Sequence, residues 1–181
     1  MVTKTQYEAI RQRVLAMLDK QRIVLTGSEI EQIEVADFGL GEVEQTGLQI
    51  ITYINTERVC AKELIMLPGQ TCPEHRHPNN GGAQGKEETF RCRAGIVYLY
   101  VPGEPAVRPA CSPPAAPAGA YTVWHEIALS PGEQYTLYPD TLHWFQAGPE
   151  GAIVSEFSTR STDDADIFTD KRIIRAPEIK G

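Results

Sequence analysis

The chain has 181 residues, 41% hydrophobic and 23% charged, enough for one domain with a substantial core and short for two. Its formal net charge of -7 leaves no surplus of lysine and arginine to neutralise phosphates, so nucleic-acid binding is not expected and a small neutral ligand suits the balance better. No apolar run approaches the length of a membrane span, and Glu8, Arg11, Arg13 and Asp19 interrupt the layout of a secretory leader.

In chain order, Tyr7, Ile10, Val14, Leu15 and Leu18 recur at helical spacing and predict an amphipathic helix over Thr5 to Gln21. Ser28 followed by Glu31 predicts a second short helix opened by a capping box. The texture then changes to short segments rich in β-branched and aromatic residues. Strands are predicted at Leu48 to Asn55, Val59 to Leu67, Thr89 to Val101, Tyr121 to Ala128, Gln134 to Leu137 and Ala152 to Phe157. Turn signals at Pro68-Gly69, Pro102-Gly103 and Pro131-Gly132 separate them, which favours an all-β sandwich or barrel over a parallel sheet. Asn79 to Gly85 reads as a flexible loop. The proline-rich stretch from Gly103 to Gly119 reads as a stiff extended loop or the ends of a projecting hairpin. Strand signals flank both, so neither is a linker. A single domain over residues 1–181 is expected, with a helical region at 1–47, a barrel at 48–157 and a charged tail at 158–181. Cys60, Cys72, Cys92 and Cys111 form no CxxC pair, and read as reduced thiols in a cytoplasmic protein.

The chemistry concentrates in the histidines, His75, His77, His125 and His143. Residues i and i+2 of a strand project from one face, so His75 and His77 can converge on one point. Glu88 follows one loop later, where a hairpin would bring it beside the pair, and His143 follows the turn at Pro139-Asp140. Three imidazoles and a carboxylate suit Mn²⁺, Fe²⁺, Co²⁺, Ni²⁺ or Zn²⁺. Glu87 competes with Glu88 for the carboxylate role, and Glu74 competes more weakly. His125, in Val123-Trp-His-Glu126, is read as structural or pocket-lining.

The flanking glycines extend the pattern. Gly69, five residues, His75 and His77, then Glu88, six residues and Gly95 resemble the first cupin motif. Gly132, a strand, Pro139 and His143 resemble the second. The ten residues between His77 and Glu88 exceed the usual cupin spacer, the second motif lacks its glycine before the histidine, and Ala147 stands where Asn is common. The run Glu74-His-Arg-His-Pro-Asn-Asn-Gly-Gly-Ala-Gln-Gly-Lys-Glu-Glu-Thr-Phe-Arg resembles the D-lyxose isomerase family of cupins. The Lys62 strand, the Leu129-Ser-Pro-Gly-Glu turn and Ser155-Glu-Phe-Ser add to it, so the likeness runs from about Ala61 to about Phe168.

That resemblance implies a cupin-type double-stranded β-helix with an N-terminal helix, commonly a homodimer. It also implies a Mn²⁺-dependent isomerase interconverting D-lyxose and D-xylulose through an enediol, with D-mannose and D-fructose as further substrates. Glu156 corresponds to the family's proton-transferring glutamate, and should face inward with Val154 and Ser158 while Phe157 faces out. Lys62 is the matching cation, assigned to a substrate hydroxyl or to ring opening; outward exposure on the sheet is the other reading. Asp163, Asp164 and Asp166 match an acidic stretch that is solvated by default, with Asp166 singled out as a catalytic candidate. Competing readings are a sugar-phosphate isomerase clamping phosphate with Lys86, Arg91 and Arg93, an iron dioxygenase, and a non-catalytic sugar-binding cupin.

Overall fold

The computed structural model describes residues 2–175. Two helices, α1 (Lys4–Lys20) and α2 (Gly27–Glu31), precede nine strands: β1 (Glu34–Ala36), β2 (Leu48–Asn55), β3 (Cys60–Met66), β4 (Thr71–Arg76), β5 (Glu88–Val101), β6 (His125–Leu129), β7 (Gln134–Leu137), β8 (His143–Ser158) and β9 (Ile167–Phe168). All the strand pairings are antiparallel, and the order β1-β2-β3-β8-β4-β9, with β5 joining β6, β7 and β8, curls into a cupin-type barrel.

The alternation of side chains builds two cores. Leu48, Ile50, Leu64, Met66, Phe90, Cys92 and Val154 point into the barrel. Ile51, Ile65 and Ile153 point outward and are covered by Ile10, Val14 and Leu18 of α1. Burying such aliphatic side chains stabilises by about 1.5–3 kcal/mol each, so α1 is held by tertiary packing more than by propensity. Thr3 caps α1 by a capping box with Gln6.

Several elements differ from the sequence reading. The capping box of α2 is Thr26 with Glu29, not Ser28 with Glu31: Thr26 Oγ1 accepts the Glu29 N–H at 3.3 Å, and the Glu29 carboxylate accepts the Thr26 N–H at 2.7 Å. The strand expected from Tyr121 begins at His125, because Tyr121 to Trp124 are held against an aromatic cluster instead. There Tyr100 and Trp144 stack at 3.9 Å, and the Trp144 indole donates to the Val123 carbonyl at 2.8 Å. The proline-rich stretch lies extended against this cluster and carries no strand. The segment expected at Ala152 is the second half of the 16-residue β8, whose first half pairs β4 and whose second half pairs β3. Gly95 makes the crossing possible: its φ is +69°, and a Cβ there would sit 1.9 Å from the Gly151 carbonyl oxygen.

Residues after Ser158 do not form a solvated tail over their described part. They fold back across the barrel mouth, β9 pairs with β4, and Ser161, Phe168 and Asp170 are buried. Residues 176–181 lie outside the described part of the chain.

Candidate metal centre and active site

Each of the four residues singled out for metal reaches one place. A register break between Cys72 and His75 turns His75 inward, where it sits opposite His143 in the β4–β8 ladder. The turn before His143 is anchored to the end of the histidine strand: Asp140, at φ 64°, donates its N–H to the His77 carbonyl at 3.0 Å and pairs with Arg76. Gly85 lets the loop after His77 return closely, since a Cβ there would meet the His77 carbonyl oxygen at 2.2 Å.

The three rings lie 4.3–5.4 Å apart between centroids and are buried. Every Nδ1 already has a partner: the Pro73 carbonyl for His75 at 2.8 Å, Asp166 for His77 at 2.5 Å and the Thr141 carbonyl for His143 at 2.9 Å. That fixes the ring orientations and turns the Nε2 atoms toward one another, an arrangement typical of metal-ligating histidines. One ligand atom from each histidine falls within 4.8 Å of those of the other two. Glu88 Oε1 lies 3.1 Å from His77 Nε2 and 3.2 Å from His143 Nε2, yet His143 Nε2 has no aligned hydrogen-bond partner among the described residues. A buried ring nitrogen left this way beside a carboxylate fits a bound cation.

Electrostatics follow from the packing. Burial, together with the neighbouring His143 and His77 rings, holds His75 well below the usual histidine range and therefore neutral. Burial also opposes charge on His77, but Glu88 and Asp166 outweigh it and push His77 up to about 9. Burial alone would raise the Glu88 carboxyl; the Lys86 ammonium and His77 overcome it and hold Glu88 well below the ordinary carboxylate range.

Beside the histidines runs a buried charge network. Lys86 Nζ sits 2.7 Å from Glu88 Oε2, 3.1 Å from Glu156 Oε1 and 3.6 Å from Asp163 Oδ1. Lys62 Nζ contacts Asp163 at 2.7 Å and Ser161 Oγ at 2.9 Å, and Arg175 reaches Asp163 at 3.1 Å. Burial opposes both the Lys86 ammonium and the Asp163 carboxylate, but their opposite charges win: Lys86 is raised well above, and Asp163 lowered far below, their ordinary ranges. The lining of one cavity, about 30 Å³, includes Glu88, Glu156, Asp163 and Asp166 against Lys62, Lys86 and Arg175. Four carboxylates thus face three basic side chains, and His77, pushed up to about 9, supplies a fourth positive charge when no ion is bound. An outer cavity of about 270 Å³ adjoins it across a wall of Lys62, Asp163 and Arg175.

Several expectations resolve on this geometry. Glu156 is buried while Phe157 is 51% exposed, as the strand alternation required. Lys62 is buried among its partners and not on the sheet surface. Glu87 is exposed, and Glu74 is turned toward Thr122, Val123 and Thr169, so neither competes with Glu88. No hairpin places Glu88 beside the histidine strand: β5 pairs with β7 and β8, and Glu88 faces His77 across the barrel. Asp164 is exposed, but Asp163 is a centre of the ion network and not a solvated charge. His125 bonds the Glu104 carbonyl and does not line the cavity. Sequence placed Lys86 only in a phosphate clamp and Asp163 in a solvated run, and missed Arg175 as a cavity residue. Lys86 carried one signal, its place two positions before Glu88, whereas Asp163 and Arg175 looked like ordinary surface charge.

Comparison with known proteins agrees with this architecture. A family model described as D-lyxose isomerase matches residues 117–181. A D-lyxose/D-mannose isomerase of Thermosediminibacter oceani is 61% identical over 180 residues, covering 99% of each chain. The chain belongs to the D-lyxose isomerase family. A D-lyxose ketol-isomerase of Thermofilum is 58% identical, again over 99% of each chain, and one of Cohnella laeviribosi is 58% identical over 97%. Among solved structures, L-ribose isomerase of Cellulomonas parahominis superposes with a TM-score of 0.82 at 16% identity, covering 99% of this chain and 98% of that one. The D-lyxose isomerase family fold is thus shared with a sugar isomerase of very different sequence. No described helix is long and apolar enough to cross a membrane, and all four cysteines are free.

Proposed function

We propose that this chain is a divalent-metal-dependent aldose–ketose isomerase that interconverts D-lyxose and D-xylulose, and D-mannose and D-fructose. The observation that carries the reading is Glu156, buried in the same cavity as His75, His77 and Glu88 and tied to Glu88 through Lys86. Relatives at 58–61% identity bearing those names support it.

His75, His77, His143 and Glu88 would hold the ion, Mn²⁺ by preference, with Fe²⁺, Co²⁺, Ni²⁺ or Zn²⁺ also suited to the donor set. The bound ion would supply Lewis-acid polarisation of the sugar carbonyl. Glu156 takes the proton from one carbon of the C1–C2 pair and returns it to the other. Lys86, 3.1 Å from Glu156 and 2.7 Å from Glu88, fixes the two carboxylates relative to each other. Lys62 donates to a sugar hydroxyl, and Asp166 acts through His77 by fixing its ring.

A phosphate clamp finds no support. Arg91 bonds Gln134 and Arg93 bonds Ser155 on the outer face, while Lys86 is engaged by three carboxylates. The test is an assay of Mn²⁺-reconstituted protein against pentoses, hexoses and their phosphates, repeated in D₂O. Interconversion of free D-lyxose and D-xylulose with solvent deuterium entering C1 of the ketose is expected. Turnover of sugar phosphates alone, or no turnover, would sink the proposal.

A further inference from the structure

Glu74 is fully buried, adjacent to His75, and takes no part in the charge network of the cavity. A buried carboxylate is costly unless donors surround it, and here four converge. Its Oε2 accepts the Thr122 N–H at 2.5 Å and the Val123 N–H at 3.0 Å. Its Oε1 accepts the Thr122 hydroxyl at 2.9 Å and the Thr169 hydroxyl at 2.7 Å, while the Thr169 N–H donates to the Glu74 carbonyl at 3.0 Å. The two clamped segments differ in what they do. Thr122 and Val123 end the proline-rich loop and hold the outer aromatic cluster. Thr169 directly follows β9, whose Phe168 stacks on the His75 ring at 5.2 Å and pairs with His75 in the ladder. Asp166, just before β9, bonds His77 Nδ1. Through Thr169, one carboxylate therefore reaches the partners that orient both rings of the histidine pair.

We infer that Glu74 is a positioning residue for His75 and His77, acting through Thr169 and β9 on Phe168 and Asp166, and that it sets metal affinity without touching metal or sugar. The inference rests on the metal reading above. Partners of this kind change metal affinity by about 10- to 100-fold when removed.

Glu74→Gln keeps the size but turns an amide NH₂ toward donors, so it should weaken Mn²⁺ binding by about that factor, measured by chelator competition. The visible spectrum of the Co²⁺-loaded protein should change as well, a signature that simple loss of stability does not produce. Two further variants separate the clamp's halves and serve even where Glu74→Gln does not fold. Thr169→Val should weaken Mn²⁺ and alter the Co²⁺ spectrum, while Thr122→Val should lower thermal stability and leave both unchanged. Wild-type metal affinity and spectrum in Thr169→Val, or equal loss in Thr122→Val, would overturn the inference and leave the metal reading standing. Failure of the unmutated protein to take up Mn²⁺ or Co²⁺ would overturn both.

Discussion

Lys86→Met tests the charge network most directly. The ammonium is 5% exposed, 2.7 Å from Glu88 and 3.1 Å from Glu156. Methionine keeps the aliphatic stem without the ammonium and leaves two buried carboxylates without their shared partner, with Lys62, 4.0 Å from Glu156, as the remaining nearby ammonium. Removing one partner of a buried ion pair costs about 3–5 kcal/mol, because the remaining charge stays desolvated and unpaired. For a protein of this size each kcal/mol lowers the melting temperature by about 2–4 °C, so a fall of roughly 6–20 °C is expected. The measurement is thermal unfolding of metal-free protein, followed spectroscopically, beside the unmutated chain. Part of the loss should return on adding Mn²⁺, since a cation bound at Glu88 relieves the same unpaired charge. Isomerisation should stay depressed with metal present, because Glu156 has lost the side chain that holds it in place. A variant with unchanged melting temperature and turnover would refute Lys86 as the counter-charge of both carboxylates.

Glu156→Gln should keep stoichiometric Mn²⁺, measured by elemental analysis, and lose kcat by about 10²–10⁴-fold, the usual worth of a general base; full activity would assign the proton to another group. His77, pushed up to about 9 by Glu88 and Asp166, makes metal-free stability and metal binding pH-dependent. Its pKa is raised on folding, so its stabilising contribution is complete below about 6.5 and fades as pH rises through about 9. At pH 7.5 Mn²⁺ must displace that proton, and calorimetry in buffers of different ionisation enthalpy should show close to one proton released. Gly95→Ala combines a φ of +69° with a Cβ against the Gly151 carbonyl, and should abolish soluble folded protein or cut its melting temperature sharply on a thermal ramp.

The histidines and Glu156 were legible because strand alternation is a local rule. His75 and His77 share a face by spacing, and Val154, Glu156 and Ser158 alternate with the exposed Phe157. Where two local signals compete, sequence does not choose. Thr26–Glu29 and Ser28–Glu31 are equally good capping boxes, and the chain uses the first. The Gly148-Pro-Glu-Gly151 stretch reads as a break, yet β8 runs through it, because β5 stays alongside on both sides of the bend. Asp163 and Arg175 stayed hidden, and Lys86 was placed only in a phosphate clamp, for a different reason. Nothing local distinguishes a lysine in a glycine-rich loop, or an aspartate in an acidic run, from a solvated charge. Only the return of residues 159–175 over the barrel mouth brings them together, and that is information carried by distant parts of the chain.

That return has a consequence for the order in which the protein is made. His77 and the Asp166 that fixes its ring are 89 positions apart, and Lys62 and Asp163 are 101 apart. At about 5–20 residues per second, a ribosome leaves His77 waiting roughly 4–18 seconds for Asp166. Through that interval the growing chain carries two imidazoles, then Glu88 and, late in it, His143, but not the segment that seals them. The finished site is thus a product of late closure.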